Sequence, residues 1–279
     1  MNLRRNVYLI FLIRHKYYRD TVDALRNVFT RLELILDGVA CIKFADPEVK
    51  RICVKNWDDD GNGEINVSEA GVSRILFRIF ADNEKIETFD ELKYFNITPQ
   101  FDNNFADCSR LRSISLPKTY TIIKYQDFKG TSLEHIELPD TLTVINSQAF
   151  YEVSTLKDVS IPDSVLTIAN NAFSGTGISR FVYPPDIATV DGLGRNPNLT
   201  YVEVGEKATT ITGMGSCPLL ETLIIRAVTP PATNYWTLLN APRIPNIYVP
   251  DTAVSAYKTA SGWSKWAAYI RPISEMVEN

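Results

Sequence analysis

Three observations predict an α+β chain in which a small helical subdomain precedes a solenoid of short parallel strands. An apolar phrase recurs with its leading residues at Leu111, Leu133, Leu156, Ile178, Leu199 and Leu220. Upstream lies a twelve-residue acidic stretch, DDDGNGEINVSE, between two runs of helically spaced apolar residues. A final segment, AVSAYKTASGWSKWAAYI, gathers aromatic residues where a stack of coils needs an end cover. The organisation these imply is an N-terminal helix over residues 1–43, a helical subdomain over 44–100, a solenoid over 101–250 and a C-terminal cap over 251–279.

The bulk composition narrows the function. The 279 residues are 45% hydrophobic and 22% charged, which is enough apolar surface to bury a real core. A formal net charge of −4 leaves no electrostatic footprint for nucleic acid. Two histidines, His15 and His135, thin most catalytic schemes, and four cysteines do not make a disulfide framework. The acidity is local: residues 44–100 hold twelve Asp/Glu against seven Lys/Arg, whereas residues 1–43 hold eight Lys/Arg against four Asp/Glu.

At the N-terminus, Arg4 and Arg5 precede an apolar run from Val7 to Ile13 that is too short to span a bilayer. No small-residue cleavage site follows it, and Val22, Leu25, Val28, Phe29, Leu32, Ile35 and Leu36 share one helical face. The segment therefore reads as an amphipathic helix rather than a leader, and the chain as having no transmembrane span.

The acidic stretch fits an EF-hand loop. Asp58, Asp60 and Asn62 fall on its first, third and fifth positions, and Gly63 on the sharp turn. Glu64 offers a backbone carbonyl, Ile65 points inward, and Glu69 closes the shell with two oxygens. A hard cation wants such a ring of oxygens, so Ca²⁺ is the cofactor expected, held by Asp58, Asp60, Asn62, Glu64 and Glu69. Val49, Ile52, Cys53 and Trp57 make an entering helical stripe after Pro47, and Val72, Ile75, Leu76 and Ile79 an exiting one. The echo of INVSE (residues 65–69) in IETFD (residues 86–90) suggests a degenerate second loop near 79–90, pairing with Ile65 through a short strand and binding no ion. Thr88 and Glu91 then read as a capping box opening a helix at FDELKYF.

From Phe105 the phrase L-x-x-I-x-L-P sets a period within the leucine-rich-repeat range of roughly 20–29 residues. A second column, Phe105, Phe128, Phe150 and Phe173, marks the far side of each coil. No single unit can bury its apolar face, so the Leu, Ile and Phe columns must stack into one interior. Strand positions flanking the inward residues then form a surface: Ser113, His135, Asp158, Arg180, Tyr201 and Thr222 in one column, Ser115, Glu137, Ser160, Val182, Glu203 and Ile224 in the next. Mixed polarity there suits a protein or glycan ligand. Tyr235 and Trp236, in a proline-rich excursion, are a further candidate contact.

These repeats, with NNAFSGTGISRF and NSQAFYEVSTLKDVSIPDSVLTI closest to pattern, resemble the BspA-type leucine-rich-repeat proteins of bacteria. The flanks resemble the segments around such repeats, so the likeness spans residues 42–275. It implies a secreted or surface-exposed, non-catalytic binding or adhesion protein. The alternative is a dockerin-like role in which the helical region itself mediates assembly into a surface complex.

Overall fold

The computed structural model describes residues 40–234, 237–238 and 240–276. The N-terminal helix expected over 1–43, and Tyr235 and Trp236, fall outside these almost entirely or wholly. Among the described residues no helix is long and apolar enough to cross a membrane.

A helix spans Pro47–Trp57, and a single turn follows at Val67–Ala70. The strands in chain order are β1 (Arg74–Leu76), β2 (Thr88–Phe89), β3 (Ile97–Pro99), β4 (Ser113–Ile114), β5 (Ile122–Ile123), β6 (Val144–Ile145), β7 (Thr167–Ile168) and β8 (Arg180–Val182). They continue as β9 (Thr189–Val190), β10 (Tyr201–Val204), β11 (Thr210–Ile211), β12 (Thr222–Ile225), β13 (Ala232–Thr233), β14 (Asn246–Val249) and β15 (Ile270–Pro272). All strand pairings among them are parallel. The longest sheet runs β8-β10-β12-β14-β15, and on the far side of the coils lie β5-β6-β7 and β9-β11-β13. The fold is thus the repeat solenoid that the 22-residue rhythm demands.

Coil stacking is clearest in the phenylalanines. Phe80–Phe105, Phe105–Phe128, Phe128–Phe150 and Phe150–Phe173 stack with ring centroids 5.3, 5.5, 5.3 and 5.0 Å apart, and every one of these rings is fully buried. Each sits in a tight bend. The residues two before and two after it have positive φ, as at Arg78 and Asp82, Asn103 and Asp107, and Gln148 and Glu152. The left-handed conformation costs a non-glycine residue of the order of 1 kcal/mol, an expense repeated in every coil and offset by the buried ring between. Gly177 shows how closely coils approach: a Cβ there would lie 2.4 Å from the Ser154 carbonyl oxygen.

The structure corrects several expectations at the front. The exiting helix does not continue past Ala70: the chain turns at Gly71 and Arg74–Leu76 extends as β1 beside β3. With strand alternation replacing helical spacing, Leu76 is buried, while Val72 and Ile75 are exposed. No second EF-hand loop forms. Ile65 meets Ile42 instead, whose amide donates to the Ile65 carbonyl at 2.7 Å. Thr88–Phe89 pairs with Ser113–Ile114 as a repeat strand. The Thr88–Glu91 capping box is absent, because Glu91 accepts the Ala45 amide at 2.9 Å and FDELKYF contains only a 3-10 segment, Asp90–Tyr94. Residues 75–100 therefore make the first coil of the stack, one repeat earlier than the boundary at 101.

What remains in front is a cap. Val49, Ile52, Cys53 and Trp57 bury the helix against the first coil, with the Trp57 ring 5.8 Å from Phe80. Asp46 fastens it. One carboxylate oxygen accepts the Glu48 and Val49 amides at the helix N-terminus, and the other accepts the Glu87 and Thr88 amides of the coil. At the other end Tyr257 donates to the Ala227 carbonyl and Trp263 to that of Pro231, both at 2.7 Å, closing the last coils. Asp251 accepts the Ser274 amide. The cap also adds a rung, since β15 pairs with β14.

One buried carboxylate serves the stack. Asp127 accepts from the Asn104 side chain at 2.7 Å, the Tyr120 hydroxyl at 2.9 Å and the Asn104 and Lys124 amides at 3.0 Å. Burial outweighs these donors and raises its pKa to about 6. Since the folded carboxyl holds its proton to higher pH than the unfolded one, stability falls as pH rises from about 4 to about 6. Urea titrations across that range are expected to show the wild type losing up to about 3 kcal/mol relative to Asp127→Asn, a difference absent below pH 4.

Candidate functional site

Two clusters emerge. The first is the acidic loop. Asp58 accepts the Gly61 and Gly63 amides at 2.8 Å and that of Asn62 at 3.2 Å. The Gly63 amide foremost, opposed by slight burial and joined by the other two, holds its carboxyl below the usual range. Gly63, with φ +83, makes the turn that aims these amides inward. Glu69 is buried and reaches back across the loop, accepting the Asp59 amide at 2.9 Å and the Asn66 amide at 2.9 Å. In return the Glu69 amide donates to the Asn66 side-chain oxygen, completing a capping box around the short turn Val67–Ala70.

The result brings carboxylate oxygens of Asp58, Asp60 and Glu69 within 4.8 Å of one another. An all-oxygen set of this kind, on a glycine turn, fits the hard-cation chemistry for which the spacing was read. Asn62 is adjacent, its side chain bonded to Asp60 and to the Glu64 amide. The Glu64 side chain turns outward to Lys50.

The second cluster lies on the outward face of the five-stranded sheet. Register places Arg180, Tyr201, Thr222 and Asn246 side by side, and Val182, Glu203, Ile224 and Tyr248 in the next column, with Arg271 beyond Tyr248. Glu203 is its centre. It accepts from the Tyr201 hydroxyl and from Arg226, both at 2.7 Å, and lies 3.7 Å from Arg180. The Arg180 guanidinium stacks on the Tyr201 ring, 3.6 Å from its centroid. Partial burial would raise the Glu203 pKa, but Tyr201 and the two arginines outweigh it and hold the carboxyl low. Burial and the Glu203 bond together push the Tyr201 hydroxyl up.

Beside this network opens a cleft of about 1230 Å³ whose lining includes Arg180, Tyr201, Thr222, Asn246, Tyr248 and Arg271. Arg180, Tyr201 and Glu203 are thus brought together as the sequence columns placed them. The remaining predicted contacts are dispersed. Ser113 and Ser115 both donate to Asp90, His135 and Glu137 stand exposed, and Asp158 is exposed beside Arg180 in a smaller recess of about 270 Å³. Ile224, placed on the surface column, is fully buried.

Sequence reasoning missed Arg226, Tyr248 and Arg271. The strand phrase Ile247–Val249 carries the register that would have continued both columns to Asn246 and Tyr248. Arg271 was hidden because its strand lies inside a segment read as cap. The buried thiols have no place in either cluster: Cys108 donates to the Phe80 carbonyl and Cys217 to that of Leu193, and burial pushes them up to about 12 and about 11.

Residues 75–193 match, in six copies, the family model of the BspA type leucine rich repeat region. A solved leucine-rich repeat protein from Bacteroides ovatus is 16% identical, with a TM-score of 0.39; the alignment covers 68% of this chain and 62% of that one. No curated protein matches the chain.

Proposed function

We propose, from BspA type repeats over residues 75–193, that the chain is a non-catalytic binding protein of the cell surface or exterior. It engages its partner through the outward face of β8-β10-β12-β14-β15. The observation that carries this reading is the Glu203-centred network beside a large cleft. Arg180, Tyr201 and Arg226 are held in place by one carboxylate, so the face is ordered before a ligand arrives and loses little freedom on binding. The dockerin-like alternative lacks support, because the apolar face of Pro47–Trp57 is already spent on the first coil.

The acidic loop belongs to the same proposal as a structural Ca²⁺ site. Asp58, Asp60 and Glu69 would bind the ion with side-chain oxygens, Asn62 would add its amide oxygen and Glu64 its carbonyl. Bound there, Ca²⁺ neutralises carboxylates crowded within 4.8 Å and stiffens the cap that closes the front of the solenoid.

Two experiments test these readings. Thermal melts in saturating calcium against chelator are expected to differ by on the order of 5 °C for the wild type. Glu69→Gln and the more exposed change Asp60→Asn should each abolish most of that difference; equal melting of the wild type in both conditions contradicts the calcium site. On arrays of matrix proteins and glycans, Arg180→Glu is expected to lose the ligands that the wild type captures while lowering the melting temperature by no more than a few degrees. Capture indifferent to the change contradicts the strand-face reading.

A further inference from the structure

The chemistry lining the strand-face cleft narrows the ligand, given the reading of that face as the binding surface. Three guanidiniums, Arg180, Arg243 and Arg271, line it together with one carboxylate, Glu221. Arg243 shares Glu221 at 3.4 Å, and both side chains are largely exposed. Arg271 donates to the Asn246 side-chain oxygen at 3.4 Å and, among the described residues, has no carboxylate within ion-pair distance. The cleft therefore carries a modest positive excess, in the form that pairs best with planar carboxylates.

The other lining groups are sugar-like in their demands. Tyr248 and Tyr269 present amphipathic rings, and Thr222 and Asn246 neutral hydrogen-bonding groups. Five strands at a spacing of about 4.8 Å give a floor about 19 Å long, and the volume exceeds what a single drug-sized molecule fills. An extended chain matches those dimensions. Pro242, Arg243 and Ile244, which precede β14, line the cleft too, so the lining extends beyond the strand face itself. An extended peptide would seek backbone partners, yet β10, β12 and β14 are already paired on both sides. Dense polyanions such as sulfated glycans outrun the available charge.

We propose that the cleft binds a uronate-bearing oligosaccharide, with Arg271 and Arg243 meeting its carboxylates and Tyr248 and Tyr269 packing on its sugar rings. The test is calorimetry of the full chain with oligomers of galacturonate, hyaluronan and unsulfated chondroitin, compared with heparin, neutral maltohexaose and hexaglutamate. At least one uronate oligomer is expected to bind. Arg271→Ala and Arg243→Ala should each weaken it tenfold or more, while Arg112→Ala, on an exposed side chain outside the cleft lining, leaves it unchanged. Binding by none of the three overturns the proposal, as does equal binding of maltohexaose, tighter binding of heparin or hexaglutamate, or indifference to both arginine changes. If uronates fail while Arg180→Glu still abolishes capture of another ligand, only the ligand class is wrong. If Arg180→Glu affects no captured ligand, the strand-face reading falls with it.

Discussion

Face-to-face packing of one coil on the next is the interaction on which everything else depends. A unit of about 22 residues has too little interior to fold alone, so the buried side chains of each coil must be covered by those of the next. The phenylalanines at 80, 105, 128, 150 and 173 meet that need with centroids 5.0–5.5 Å apart. That spacing fixes the distance between coils, hence the strand ladders, and hence the rank of side chains on the outward face. The stack cannot end on a bare ring. Trp57 with its helix covers Phe80, and the Tyr257–Trp263–Trp266 cluster closes the far end. Both ends join one buried apolar cluster running from Ile42 to Ile270.

The order of the outward face follows from the same constraint. Parallel strands in register place Arg180, Tyr201, Glu203 and Arg226 close enough to share one carboxylate. The regular ladder is longest where the strand phrase departs most from L-x-x-I-x-L-P. Tyr201–Val204, Thr222–Ile225 and Asn246–Val249 are rich in β-branched and aromatic residues, whereas Ser113–Leu116 and His135–Leu138 carry small or polar ones. The erosion of the motif thus coincides with the longest strands and with the cleft beside them.

The solenoid was legible because repetition multiplies a weak signal: Leu111, Leu133 and Leu156, and Phe105, Phe128 and Phe150, are all fully buried as their columns require. The first coil was not, although Phe80-Ala81-Asp82 copies Phe105-Ala106-Asp107. The acidic loop beside it drew the segment into an EF-hand frame, where Ile75, Leu76 and Ile79 also fit helical spacing. A three-residue strand and most of one helical turn look alike in sequence, and pairing with Ile97–Pro99 decides between them. In the strand face, alternation placed Arg180, Tyr201 and Glu203 outward, misplaced the buried Ile224, and did not show which residues share a partner. Glu203 reaches Arg226, whose position beyond the strand phrase no alternation rule marks.

Front helix and repeats share one continuous stack through Phe80. Native-state hydrogen exchange on Phe80→Ala tests it most directly. Amide protection is expected to fall on both sides of the lost ring, in Pro47–Trp57 and in the coil carrying Phe105. Protection lost only around residues 75–94, with the helix and the Phe105 coil unchanged, would contradict it.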